Sequence, residues 1–241
     1  MVYVPKIIEI ETGSFCHRKC STCLRNSNPD REAFKSWFEK NYLSIDTILG
    51  IVQGMKDLGF NGGICLSHYN EPLYDLRLEE IINKIKKIGE FKEVFFHSNG
   101  DILTPERAKS LDGIVDRIVF AVYPGNKPEV EYRISSWFDK TSIQFTQGKH
   151  IVTHYSSLSS LNDCIKNSID HICLEPRSRL LFNHKGEMLM CCDDVINNFK
   201  LGSFPDMPIE DLLQQRDEYG KILEQLGGRR KFAYCSICPR E

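Results

Sequence analysis

The sequence has no long apolar run and no surplus of charge of one sign. No stretch approaches the roughly 18 apolar residues of a membrane span, and the N-terminal "MVYVPKIIEIETG" has no signal-type apolar core. A membrane partner is therefore not expected, and the chain reads as cytoplasmic. Lysine and arginine number 31 against 33 aspartates and glutamates, a net charge of -2. That balance lacks the electrostatic footprint of a nucleic-acid binder. The short cationic stretch "GGRRK" at 227–231 reads as solvated surface, so nucleic acid is not expected as a partner. Internal repeats and low-complexity linkers are also missing, so the chain is not a repeat array.

What is present is a chain of 241 residues, 41% hydrophobic, enough for one sizeable core and a small appended unit. It also holds ten cysteines. A disulfide scaffold with that many belongs to a short secreted chain, and nothing here marks secretion. The cysteines gather toward the two ends, which in a reducing compartment points to metal.

Between the ends, strand and helix signals alternate. "IIEIETG" (7–13), "GICLSHY" (63–69), "EVFFHSNG" (93–100), "VDRIVFAVYPG" (115–125) and "TSIQFTQ" (141–147) read as strands. Helical periodicity covers 44–59, 76–89, 104–113, with Thr104 as cap and Pro105 in the first turn, and 127–140. Such alternation predicts right-handed βαβ units on a parallel sheet. Five or six units are too few for a closed eightfold barrel, so the fold class is α/β, an open partial (β/α) barrel with its site at the C-terminal strand ends. After residue 150 the pattern changes. "SSLSSLND" (156–163) is loop, 178–192 a β-hairpin around Asn183-His184-Lys185-Gly186, and 209–228 a helix ending in Gly-Gly. The expected division is a barrel core at 1–169 and a small hairpin-plus-helix unit at 170–241.

"CHRKCSTC" places Cys16, Cys20 and Cys23 directly after the first strand. A [4Fe-4S] cluster has four irons to ligate; three thiolates leave one iron open for another molecule. A zinc knuckle with a distant fourth ligand, or three buried thiols, remain alternatives on spacing alone. The segment resembles the signature of the radical S-adenosylmethionine (radical SAM) enzymes. "SHYNEPLYD" (67–75) is similar to that family's Gly-Gly-Glu-Pro stretch, and "FFHSNGDILT" (95–104) to its third-strand segment. The resemblance implies that Cys16, Cys20 and Cys23 hold a [4Fe-4S] cluster whose open iron chelates SAM. It implies that Glu71 accepts the SAM ammonium, with Asn70, Ser98 and Asn99 nearby. It also implies one-electron cleavage of SAM to a 5′-deoxyadenosyl radical, fed by an external reductant such as flavodoxin or ferredoxin. Tyr69-Asn70 stands where the family usually has Gly-Gly, and Thr22 where it often has an aromatic. No fifth-strand adenine motif is legible.

Cys173, Cys191, Cys235 and Cys238 form a second ordered set, C…G-x4-C…C-x2-C with Gly186 as its glycine. Spacing alone suits a zinc ribbon equally well. The layout resembles the twitch module, the shortened SPASM domain, which implies four thiolates around an auxiliary [4Fe-4S] cluster. Total layout is most similar to the 2-deoxy-scyllo-inosamine dehydrogenases, which oxidise a secondary alcohol of an aminocyclitol. The implied reaction is dehydrogenation of a sugar or cyclitol alcohol, the auxiliary cluster taking the electron. Arg177, Glu175, Tyr123, His97 and His68 are candidates for the group that handles the hydroxyl proton. Cys192 is a candidate alternate ligand, buried thiol or hydrogen-atom donor; Cys65 and Cys164 read mainly as small hydrophobes, with Cys65 a second possible donor. Alternatives are a peptide-modifying enzyme and an epimerase with a cysteine donor.

Overall fold

The computed structural model describes residues 4–20, 23, 39–122, 127–147, 172–194, 197, 199–236 and 238. The expected loop at 156–163 and Cys164 lie outside the described residues. One seven-stranded sheet organises the rest: β1 (Ile7–Ile10), β2 (Gly63–Cys65), β3 (Glu93–Ser98), β4 (Arg117–Val122), β5 (Ser142–Gln147), β6 (Arg179–Phe182) and β7 (Met188–Leu189), in the order β5-β4-β3-β2-β1-β6-β7. Every pair is parallel except β6 with β7. Six strands thus send their C-terminal ends to one rim of an open barrel.

Period-two alternation gives the sheet two unlike faces. Ile8 stands beside Ile64 and Leu180, all fully buried against the helices. On the opposite face Glu9, Cys65, Phe95 and Arg117 form one row across β1 to β4. Arg117 bonds Glu93 there at 2.7 and 2.9 Å and lies 4.1 Å from the Phe95 ring centroid. The helix-side face is an apolar core that includes Phe96, Phe120 and Phe182; the concave face sets Glu9 and Arg117 among apolar neighbours.

Helix α1 (Ile45–Asp57) starts at Ser44, whose side chain accepts from the Thr47 amide, and packs Ile48, Ile51, Val52 and Met55 into the core. Helix α2 (Leu78–Ile88) adds Ile81, Ile82 and Ile85. Each such side chain contributes about 1.5–3 kcal/mol of burial. Helix α3 (Pro105–Leu111) is capped by Thr104, as its sequence predicts. Helices α4 (Lys127–Ser135), α5 (Glu175–Ser178), α6 (Ile209–Leu223) and α7 (Ala233–Ser236) complete the described set.

Two expectations change. Strand β2 ends at Cys65 rather than near Tyr69, because Ser67 Oγ, not a backbone carbonyl, accepts from the His97 amide at 2.9 Å. The expected 209–228 helix stops at Leu223, before Gly227 at φ 73°. The 178–192 hairpin is built onto the main sheet, β6 pairing with β1 along Ile7–Ile10.

The hairpin turn depends on Gly186. It sits at φ +78°, and a Cβ there would lie 2.5 Å from the Phe204 carbonyl oxygen, while its own carbonyl accepts from the Phe204 amide at 2.9 Å. Gly186→Ala should destabilise the protein by about 1–3 kcal/mol, measured by anaerobic chemical denaturation. An unchanged midpoint would show that the turn is not held this way.

Candidate active site

The loop after β1 carries Cys16, Cys20 and Cys23 to the wall of a cavity of ≈ 190 Å³ at the strand ends. The Cys23 amide donates to the Cys20 carbonyl at 3.1 Å, which curls the loop. Arg18 donates to Asp101 at 2.6 Å and His17 lies 2.9 Å from the same carboxylate, tying the loop to the segment after β3. Partial burial works against the Asp101 charge, but Arg18 and His17 outweigh it and hold its pKa below the usual range.

Facing the thiols are the segments after β2 and β3, joined by Glu71. This buried carboxylate accepts from Ser98 Oγ at 2.7 Å, the Asn99 amide at 2.8 Å and the Leu73 amide at 3.2 Å. It also caps the 3-10 turn Pro72–Tyr74. Burial raises its pKa, and the three hydrogen bonds offset only part of that rise. Ser98 Oγ additionally accepts from the Gly100 amide at 3.0 Å, so its hydroxyl organises the turn. Asn70 donates to Thr12 Oγ1 at 3.3 Å and accepts from the His68 amide at 3.0 Å. Asn99 Nδ2 reaches to 4.0 Å of Cys16 Sγ. All four polar residues expected near SAM therefore line the cavity that the three thiols line.

Behind this cavity run two buried carboxylates of the first strand segment. Glu11 accepts from the Tyr69 amide and the His184 amide, both at 3.1 Å, and lies 2.8 Å from His184 Nδ1. Glu9 accepts from Arg179 at 2.6 Å and lies 3.6 Å from His68 Nδ1. For both, burial opposes the charge and the histidine partners outweigh it, leaving the pKa lowered. Burial, with the Glu9 charge second, pushes the Cys65 thiol up to about 12. Its Sγ sits 3.3 Å from Ser67 Oγ and 3.6 Å from His97 Nδ1.

A second recess collects Cys173, Cys191, Cys235 and Cys238 with Arg229 and Asp193. The Cys173 amide donates to the Leu223 carbonyl at 2.8 Å, and Arg229, 2% exposed, donates to the Cys235 carbonyl at 3.4 Å. Burial and then the neighbouring Cys173 and Cys238 push Cys235 up to about 12. Tyr69 connects the two places. It lines the first cavity, donates its hydroxyl to the Cys192 carbonyl at 3.3 Å, and is raised in pKa by burial and by charges that include Cys23 and Cys191.

Of the three residues expected to act on substrate, Arg177 pairs with Glu224 and lines a different recess with Leu213 and Arg216. Cys192 is half-buried, and its thiol is part of neither the cavity nor the recess lining. Tyr123 lies outside the described residues. Glu175 lines the second recess and sits 3.8 Å from Arg179. Sequence reasoning missed Glu9, Glu11, Arg179, His184 and Asp101. A signal for the first two was present: a strand inside a parallel sheet is covered on both faces, so acidic residues on alternate positions must enter the concave side.

The donor sets suit different groups. Three thiols open onto a cavity with a carboxylate and amides opposite fit a cluster with one exchangeable iron; four thiols around one recess fit a fully ligated one. Residues 10–126 match the model of the Radical SAM superfamily, and residues 173–239 that of SPASM, an iron-sulfur cluster-binding domain. No curated protein matches the chain. Among solved structures, BtrN in complex with AdoMet and 2-DOIA is 19% identical with a TM-score of 0.72, over 100% of this chain and 94% of that one. The structure titled anSMEcpe with bound AdoMet and Cp18Cys peptide is 12% identical with a TM-score of 0.60, over 98% and 88%. Streptococcus suis SuiB bound to precursor peptide SuiA is 13% identical with a TM-score of 0.52, over 98% and 71%. The chain is an enzyme of the radical SAM superfamily, with a [4Fe-4S] cluster and SAM in its partial barrel and an auxiliary cluster in its C-terminal SPASM domain.

Proposed function

We propose that the protein dehydrogenates a secondary alcohol of a sugar or cyclitol. In this reading Cys16, Cys20 and Cys23 hold the SAM-binding cluster and Cys173, Cys191, Cys235 and Cys238 the auxiliary one. The barrel core spans 1–169 and the auxiliary unit 170–241, with β6 shared through the sheet. When bound, SAM and the two clusters supply a 5′-deoxyadenosyl radical that takes a hydrogen atom and an acceptor for the electron left behind.

The observation that carries the reading is Tyr69. A side chain in the wall of the SAM cavity is hydrogen-bonded to the residue after Cys191, giving a short path from the cavity wall toward the second thiol set. A dehydrogenation needs such a path, because one electron must leave the substrate. Neither Cys65 nor Cys192 lines the cavity, which disfavours an epimerase that returns a hydrogen atom from a thiol. The fold likeness to BtrN, solved with AdoMet and 2-DOIA, supports a small polar substrate over a peptide. In this reading Glu71 takes the SAM ammonium with its remaining lone pairs, beside the amides of Asn70 and Asn99. Ser98 acts through Glu71. An external one-electron donor of the flavodoxin or ferredoxin class completes the cycle.

Anaerobically reconstituted protein should hold about eight irons per chain, four for each cluster. Given dithionite, SAM and 2-deoxy-scyllo-inosamine, it should release 5′-deoxyadenosine and a product two mass units lighter. Cys235→Ala should keep about four irons and still cleave SAM while losing the oxidation. Unoxidised product carrying solvent deuterium would instead mark an epimerase; turnover confined to peptides would mark a maturase.

Glu71→Gln keeps the shape of the carboxylate and removes its charge. It should raise the SAM Kd about tenfold, or about 1.4 kcal/mol, by anaerobic equilibrium dialysis. An unchanged Kd would remove Glu71 from the SAM site and leave it a loop clamp.

A further inference from the structure

One residue of the cavity wall carries a buried polar atom that the fold does not satisfy. His68 follows β2 and lines the cavity wall. Its side chain and that of Glu9 are each 8% exposed, with Nδ1 3.6 Å from the Glu9 carboxylate. The other ring nitrogen, Nε2, is buried and has no hydrogen-bond partner. Native folds rarely leave such an atom alone unless a ligand or water completes it.

We infer that Glu9 and His68 form a proton-accepting pair, His68 Nε2 being the atom that receives the hydroxyl proton of the substrate alcohol; this rests on the dehydrogenase reading above. Turning Nδ1–H toward the carboxylate assigns the lone pair to Nε2, the nitrogen left to meet a ligand. In the step, the O–H bond breaks, both of its electrons stay on oxygen, and the proton goes to Nε2. The imidazolium formed lies against a carboxylate that Arg179 holds at 2.6 Å. Glu9 is thus a positioning residue, and Tyr69 helps orient the ring, edge-on at 4.3 Å between centroids.

The other ionisable groups around the pair argue for His68 over its neighbour. Glu11 lies behind it, and Arg179 is bound to Glu9. His97 also lines the cavity, but its Nδ1 sits 3.3 Å from Ser67 Oγ and 3.6 Å from the Cys65 thiol. Burial, with Arg117 and Arg179 nearby, lowers its pKa and disfavours an imidazolium there, even against the pull of Glu9. His68 has the carboxylate in contact; His97 does not.

The test compares the reconstituted wild type with His68→Gln and His68→Asn, using 2-deoxy-scyllo-inosamine as probe. Three readouts are taken anaerobically: iron content, probe binding to the SAM-loaded enzyme without reductant, and ketone formed on reduction. Glutamine can hydrogen-bond the hydroxyl but cannot take its proton. His68→Gln should therefore bind the probe within about threefold of wild type and lose ketone formation by about 10²–10⁴-fold, the usual weight of a general base. His68→Gly should recover part of its ketone formation when imidazole is added, which a merely structural residue would not allow. Ketone formation by His68→Gln or His68→Asn at the wild-type rate overturns the inference and leaves the dehydrogenase reading standing. Loss of iron in both variants also overturns it, making His68 structural. A wild type that cleaves SAM but makes no ketone removes the dehydrogenase reading, and this inference with it.

Discussion

Two carboxylates on the inner face of the first strand segment hold the site together. Burying a charge is unfavourable unless it is paired and hydrogen-bonded, and Glu9 and Glu11 find their partners on three different parts of the chain. Glu11 binds the backbone of Tyr69 after β2 and both the backbone and ring of His184 in the hairpin turn. Glu9 binds Arg179 at the start of β6 and faces His68. Removing Glu9 would leave the Arg179 guanidinium without its acceptor, and removing Glu11 would leave the Tyr69 and His184 amides without theirs. The segment after β2 that lines the first cavity and the hairpin that leads to the second recess are thereby registered on the same strand.

That arrangement makes one functional unit of what the two domain models treat separately. The hairpin contributes β6 to the barrel sheet, then turns at Gly186 and delivers Cys191 to the second recess. In that recess burial, and then the neighbouring Cys173 and Cys238, push the Cys235 thiol up to about 12. A metal centre reverses that: it stabilises the thiolates against each other, so binding it is also a contribution to folding. In the proposed reading Asn99, beside Cys16, and the Arg229 guanidinium, beside the carbonyls of Cys235 and Cys238, are the groups that adjust the electrostatics around each cluster.

The elements that the sequence announces are those set by local chemistry. Ser44 and Thr104 start their helices because a hydroxyl at that position meets a free amide, and apolar periodicity places α1 and α2 on the sheet. The cysteine spacing is legible for the same reason, being confined to short stretches. What escaped reading depends on partners distant in sequence. Strand β2 stops early because Ser67 substitutes for a backbone acceptor, and no propensity encodes that. Glu71 is a motif residue, yet its three hydrogen bonds to two loops become visible only once those loops meet. Arg177 lies one turn from Cys173 in sequence but points to Glu224, away from the cavity. Glu9 and Glu11 were legible in principle, since alternating acids on a covered strand demand an explanation.

The central claim is that two iron–sulfur sites of different openness share this fold, only one of them able to bind SAM. Electron paramagnetic resonance of the dithionite-reduced protein, recorded with and without SAM, tests it most directly. The account predicts two overlapping signals, one of which shifts on addition of SAM while the other stays in place. No response to SAM, or an equal response from both centres, would contradict it.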